Sequence, residues 1–127
     1  MSKTICIIED DLVSQFASRY SINQYSNQTY EVIVCNNAEE ALELFTDYLE
    51  EEYPIPDIIL LDLVMGDMDG WEFLDHLEVL LKNRPKPKIY ILSAFSKIKD
   101  REQAKAHPLI EGYFDKPLTR SSLAKIL

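Results

Sequence analysis

Six side chains in the sequence are of types that could act on a phosphoryl group or a metal ion: the acidic run Glu9, Asp10 and Asp11, the isolated Asp62, Ser93 and Lys116. Carboxylates held together repel one another and raise each other's pKa unless a cation neutralises them. A few hard oxygens suit Mg2+, which keeps part of its water shell. A hydroxyl and an ammonium added to such a cluster make a site that binds the oxygens of a phosphoryl group and balances its charge in transfer. Asp62 would then be the nucleophile. Each residue alone has a plainer use, since acids and serines after strands often cap helices, and capping is the expected role of Asp11 and Asp69. The chemistry depends on elements that bring the six together.

Those elements are legible in the apolar pattern. Ile58-Ile59-Leu60-Leu61 reads as a strand buried on both faces and ends on Asp62. Thr4–Ile8 is a similar run closed by Glu9-Asp10-Asp11, Lys88–Leu92 is closed by Ser93-Ala94, and Gly112-Tyr113-Phe114 leads into Asp115-Lys116-Pro117. Tyr30–Cys35 is the remaining strand; it brings only Asn36 and Asn37, as expected of a strand at the sheet's edge, and either can cap the following helix.

Between the strands, Leu12, Val13, Phe16 and Tyr20 recur at helical spacing and predict a first helix ending within 23–28. Ala38, Ala41, Leu42, Phe45, Tyr48 and Leu49 mark a second, and Trp71, Leu74, Leu77 and Leu81 a third, ended by the prolines at 85 and 87. A weak stripe of Ile98 and Ala104 suggests a fourth in 96–107, and Leu123 and Ile126 face inward on a last helix beginning near Thr119. Five strands alternating with five helices predict an α/β fold, with right-handed crossovers and helices on both faces of a parallel sheet. Ligands of such sheets bind outside the carboxyl ends of the strands, where all six residues fall.

The chain has 127 residues, 46% of them apolar and 28% charged, which fits one globular domain over 1–127. No apolar run approaches the ~20 residues of a membrane span, and Met1-Ser2-Lys3-Thr4 leads into a strand without a signal-peptide core, so a cytoplasmic protein with no membrane contact is expected. Net charge is −9, which repels phosphate backbones and argues against nucleic acid as a direct partner. From Lys97 onward seven Lys/Arg face four Asp/Glu, a net of +3 on an acidic body. Cys6 and Cys35 lie inside apolar runs without metal-ligand spacing and read as small core residues. His76 and His107 have polar surroundings and read as exposed, Glu50-Glu51-Glu52 as a solvated end, and Trp71 as a helix-packing residue.

Four motifs in order, Ile8-Glu9-Asp10-Asp11, Leu60-Leu61-Asp62-Leu63 with Met65 and Met68-Asp69-Gly70, Leu92-Ser93-Ala94, and Gly112-Tyr113-Phe114-Asp115-Lys116-Pro117, resemble the receiver domain of two-component response regulators, in its single-domain, chemotaxis-type form, over essentially the whole chain. The resemblance implies a flavodoxin-like, doubly wound five-stranded sheet of order 2-1-3-4-5. It implies a phosphoprotein of a phosphorelay, with Asp62 taking a phosphoryl group from a phosphohistidine of a sensor kinase or phosphotransfer protein. Asp10 and Asp62 would bind Mg2+ directly, Glu9 through water, and the Val64 carbonyl would be the backbone ligand. Ser93 and Lys116 would hold phosphoryl oxygens. Tyr113 would turn inward with the Ser93 hydroxyl, and Lys116-Pro117 would be a cis peptide. The output would be a changed protein-binding surface on the fourth helix, fifth strand and fifth helix, met by a downstream protein; the short tail after Lys116-Pro117 argues against transcriptional output from this chain alone.

The chain departs from the family's pattern at Gly66, where proline is usual and whose absence should loosen the loop, and at Ser93, where threonine is commoner. Val64 and Phe95 are apolar at two variable positions and are expected to shield the phosphoryl group from water; an unchanged dephosphorylation rate in Val64→Asn with Phe95→Glu would sink that expectation. Three other readings compete. A Mg2+-dependent aspartyl phosphatase of the haloacid dehalogenase type needs a second acid two residues beyond the nucleophile, and that place is Val64, so turnover of a substrate is not expected. A receiver-like scaffold that never takes phosphate has no need of Asp10, Asp62, Ser93 and Lys116. A flavin-binding relative would want a phosphate-cradling loop where Glu9-Asp10-Asp11 stands.

Overall fold

The computed structural model describes residues 3–25, 30–94 and 97–127. Phe95, like the stretch 26–29, lies outside the described residues. The elements alternate as expected: β1 (Lys3–Ile8), α1 (Leu12–Tyr25), β2 (Tyr30–Cys35), α2 (Ala38–Glu50), β3 (Ile58–Leu61), α3 (Gly70–Leu81), β4 (Lys88–Ser93), α4 (Ile98–Ala106), β5 (Ile110–Asp115) and α5 (Arg120–Ile126). All strand pairs are parallel, in the order β2-β1-β3-β4-β5.

Alternation along the central strands divides the core in two. Cys6 and Ile8, Ile59 and Leu61, and Ile89 and Ile91 point to one face, where α2 and α3 bring Ala38, Ala41, Phe45, Phe73, Leu74, Leu77 and Leu81. Ile5 and Ile7, Ile58 and Leu60, and Tyr90 and Leu92 point to the other, where α1 brings Ile22 and α5 brings Leu123 and Ile126. Strands buried on both faces must be apolar at every position, which is why the sequence shows continuous runs there and no alternation. The edge strand β2 is only half buried.

Helix starts are fixed by short polar side chains. Asp11 accepts the Ser14 N–H at 2.9 Å, Asn37 accepts that of Glu40 at 2.7 Å, and Asp69 accepts that of Glu72 at 2.9 Å. Thr119 and Ser122 close a capping box on α5.

One expectation is corrected, and two helices turn differently from what an apolar stripe suggests. Helix α1 forms, but its apolar stripe faces outward: Leu12, Val13 and Phe16 are more than 70% exposed and Tyr20 58%. Gln15, Ser18 and Ile22 are the buried residues, because this helix passes beside the acidic pocket and must supply polar and small side chains there. On α4, Ala104 is buried but Ile98 is 77% exposed, so the weak stripe anchors the helix at one point. His107 is not an exposed histidine. Its Nδ1 accepts the Leu109 N–H at 3.2 Å, its ring lies 6.3 Å from that of Trp71, and its Nε2 is 3.6 Å from Glu78 Oε1, the last two contacts joining the end of α4 to α3.

Candidate functional site

At the carboxyl edge of the sheet the strand ends converge. β1 ends before Glu9, whose N–H donates to the Cys35 carbonyl at 3.0 Å; β3 ends before Asp62, whose N–H donates to the Ile8 carbonyl at 3.1 Å. These continuations of the ladders hold two carboxylates side by side. Glu9 is 3% exposed and Asp62 8%, both far more enclosed than an acid held in place by solvation alone. Asp10 sits beside them at the surface, and one carboxylate oxygen from each of Glu9, Asp10 and Asp62 lies within 4.8 Å of the others.

Lys116 reaches this group from the end of β5. Its Nζ donates to Glu9 Oε1, to Asp62 Oδ2 at 3.2 Å and, at 3.4 Å, to Ser14 Oγ. The backbone places it: the Lys116 N–H donates to the Ser93 carbonyl at 2.8 Å, and the Lys116-Pro117 peptide is cis. Ser93, at the end of β4, is 3% exposed. The Val64 N–H donates to Asp62 Oδ1 at 3.1 Å while the Val64 side chain stands 74% exposed.

The electrostatics follow from two carboxylates sharing one ammonium. Burial first, and then the neighbouring Asp62, push the Glu9 carboxyl up to about 7 against the pull of Lys116. Burial pulls the Lys116 ammonium down, but the hydrogen bond to Glu9 and the charges of Asp62 and Glu9 outweigh it, and its pKa is raised. The Asp11 carboxylate is not one of the three that cluster: hydrogen bonds from Ser14 hold it below the usual carboxylate range, while its N–H donates to Glu9 Oε2 at 3.3 Å. The donor set of three carboxylates, partly enclosed and clustered, matches the hard oxygen ligands that Mg2+ takes.

Two residues with structural roles in the site escaped the sequence reading. Gln15 donates from Nε2 both to the Glu9 carbonyl at 2.6 Å and to Asn36 Oδ1 at 2.9 Å, tying α1 to the acidic loop and to the end of β2. Gly70 opens α3 against the loop that follows β3, and a Cβ there would meet the Asp62 carbonyl oxygen and Leu63 Cα at 2.9 Å. No sequence signal marks the first; the second was visible only as a motif letter. Gly66 has neither constraint: a Cβ there would meet nothing within 4 Å, and its φ is not positive, yet its N–H donates to Asp10 Oδ2 at 3.3 Å, a bond proline could not make.

Tyr113 stands apart from the cluster, on β5. The Arg101 guanidinium lies 4.6 Å from the centre of its ring and pairs with Asp115 at 2.7 Å. The Tyr113 hydroxyl is buried with no hydrogen-bond partner among the described residues.

A family model described as the response regulator receiver domain matches residues 5–127. Among curated proteins, an uncharacterized 14.6 kDa protein from Leptolyngbya boryana is 29% identical over 123 residues, covering 97% of this chain and 86% of that one. A two-component response regulator from Cytophaga hutchinsonii superposes with a TM-score of 0.86 at 21% identity, over 99% of this chain and 95% of that one. The phosphorylated cyanobacterial phytochrome response regulator RcpA superposes with a TM-score of 0.77 at 22% identity, over 99% and 89%.

Proposed function

Because the chain belongs to the response regulator receiver domain family, a phosphoacceptor module of two-component signalling, we propose that Asp62 is the residue that accepts the phosphoryl group. The observation that carries this reading is the meeting of Asp62 and Lys116, 54 residues apart, at 3.2 Å in an enclosed pocket at the carboxyl edge of the sheet. An unpaired buried carboxylate is costly, and a fold that keeps one beside an ammonium and two further acids has a use for it.

An Asp62 carboxylate oxygen attacks phosphorus in line with the departing imidazole of a donor phosphohistidine, and an acyl phosphate forms as the P–N bond breaks. Lys116 neutralises charge on the transferred oxygens, and the Ser93 hydroxyl donates to another. Asp10 and Asp62, with Glu9 and the Val64 carbonyl, would hold Mg2+, which would supply charge neutralisation for the phosphoryl oxygens. Such a protein catalyses its own phosphorylation and dephosphorylation and turns over no other substrate. The donor is a cytoplasmic sensor kinase or phosphotransfer protein. A downstream protein reads the change on α4, β5 and α5. The Tyr113 hydroxyl supports that route, since a buried polar group without a partner gains by moving when Ser93 is drawn to the phosphoryl group.

The test is intact mass after incubation with Mg2+ and acetyl phosphate. The parent is expected to gain one phosphoryl group, and Asp62→Asn, or the parent without Mg2+, none. Phosphate on Asp62→Asn equal to that on the parent would remove Asp62 from the role.

A further inference from the structure

Cys6 and Cys35 are 29 residues apart in sequence, yet the fold makes them neighbours. Cys6 lies in β1 opposite Ile33, and Cys35 ends β2 opposite Ile8, two positions further along. Both therefore point to the sheet face that α2 covers, in one cluster with Ala38 and Ala41. Their exposures are 0% and 1%, their sulfurs are 3.9 Å apart, and both thiols are free. A disulfide needs about 2.05 Å, so the sulfurs must close by roughly 1.9 Å. Two features favour that closure. β2 is an edge strand, held by a single ladder. Ala38 and Ala41, in the same cluster, carry no atom beyond Cβ and so crowd the cysteine side chains least.

We propose that Cys6 and Cys35 form a modification site, a dithiol that hydrogen peroxide converts into a disulfide joining β1 to β2. One sulfur, as thiolate, attacks a peroxide oxygen; the O–O bond breaks, the sulfur becomes a sulfenic acid, and the released hydroxide takes a proton and leaves as water. The second thiol attacks the sulfenic sulfur; the S–S bond forms, the S–O bond breaks, and the oxygen leaves with two protons as a second water. The two thiols lose two electrons and two protons, and the peroxide gains them. Local opening of the edge strand admits the oxidant.

The disulfide has a direct route to the acidic pocket. The Cys35 carbonyl accepts the Glu9 N–H at 3.0 Å. The next residue, Asn36, accepts from the same Gln15 Nε2 that donates to the Glu9 carbonyl. Drawing Cys35 toward Cys6 carries these bonds with it and shifts Glu9 relative to Asp10 and Asp62. The disulfide thus weakens divalent-cation binding, by about tenfold, as disturbing the groups that orient a metal's ligands does. This consequence rests on the function proposed above; the disulfide itself does not.

The native chain is treated with hydrogen peroxide, freed of it, unfolded, alkylated with iodoacetamide and weighed. The untreated chain takes up two alkyl groups. The treated chain is expected to take up none, to weigh about 2 Da less than the unalkylated parent, and to yield a Cys6 to Cys35 linked peptide, which Cys6→Ala and Cys35→Ala each abolish. Mg2+ titration is expected to show weaker binding by the oxidised parent, while the Cys6→Ala/Cys35→Ala double variant binds like the reduced parent with or without peroxide. Two alkylatable thiols after treatment, linkage only between two chains, or a gain of oxygen without a crosslink would overturn the proposal. A disulfide that leaves Mg2+ affinity unchanged overturns its coupling to the pocket. Failure of the reduced parent to bind Mg2+ counts against the function reading alone, and the mass then decides the disulfide by itself.

Discussion

Glu9 shares the Lys116 ammonium with Asp62, and burial beside that second carboxylate raises its pKa to about 7 from an ordinary 4.5. A carboxyl whose folded pKa is raised stabilises the metal-free fold fully below the unfolded value, and that contribution is lost as pH climbs through the folded one, here between about 4.5 and 7. Cation binding runs the opposite way, because a ligand must be deprotonated to serve. Mg2+ affinity is therefore expected to rise between about pH 6 and pH 8, by no more than ~tenfold per unit, and to level off above the Glu9 pKa. Calorimetric titration across that range reads it. Glu9→Gln should bind more weakly and with a flatter profile, and a parent as flat as the variant would show that Glu9 is not the titrating ligand.

Helices α1 and α3 reach the pocket by opposite means. Helix α3 is packed so closely that Gly70 has backbone where a Cβ would go, 2.9 Å from the Asp62 carbonyl oxygen and from Leu63. Gly70→Ala is expected to cost ~1–3 kcal/mol in urea unfolding and to slow phosphorylation from acetyl phosphate, because relief of the clash moves the loop that carries Asp62. Equal stability and rate would mean the loop yields freely. Helix α1 turns its polar side to the pocket through Gln15 and Ser14 and leaves Leu12, Val13, Phe16 and Tyr20 in solvent. Phe16→Lys should accordingly change stability by less than ~0.5 kcal/mol, whereas Ile22→Ala should cost ~2–5 kcal/mol. A large loss for Phe16→Lys would reverse the helix's orientation.

Across the molecule the charge is divided, with a net of −9 overall and +3 from Lys97 onward. Lys97 and Lys99 stand exposed at the start of α4, while Arg101 is engaged with Asp115 and Tyr113. An acidic downstream partner is therefore expected to associate more slowly with Lys97→Glu/Lys99→Glu, and with less dependence on salt, without loss of fold stability. Stopped-flow association at two ionic strengths checks this, and an unchanged rate would place the partner elsewhere. The fold class was legible in the sequence itself and the sheet order through the resemblance to the receiver domain, and of the residues singled out Glu9, Asp10, Asp62 and Lys116 meet at one edge of the sheet. Buried parallel strands must be apolar at every position, so Ile5–Ile8, Ile58–Leu61 and Ile89–Leu92 announce themselves, and the charges that close them lie at one edge of any such sheet. Other features were settled only in three dimensions. Periodicity shows that a helix has two faces but not which one meets the sheet, and in α1 the apolar stripe lies in solvent. The contacts of His107, the close approach at Gly70 and the 3.9 Å between Cys6 and Cys35 join residues distant in sequence, and such distances depend on strand order, register and packing.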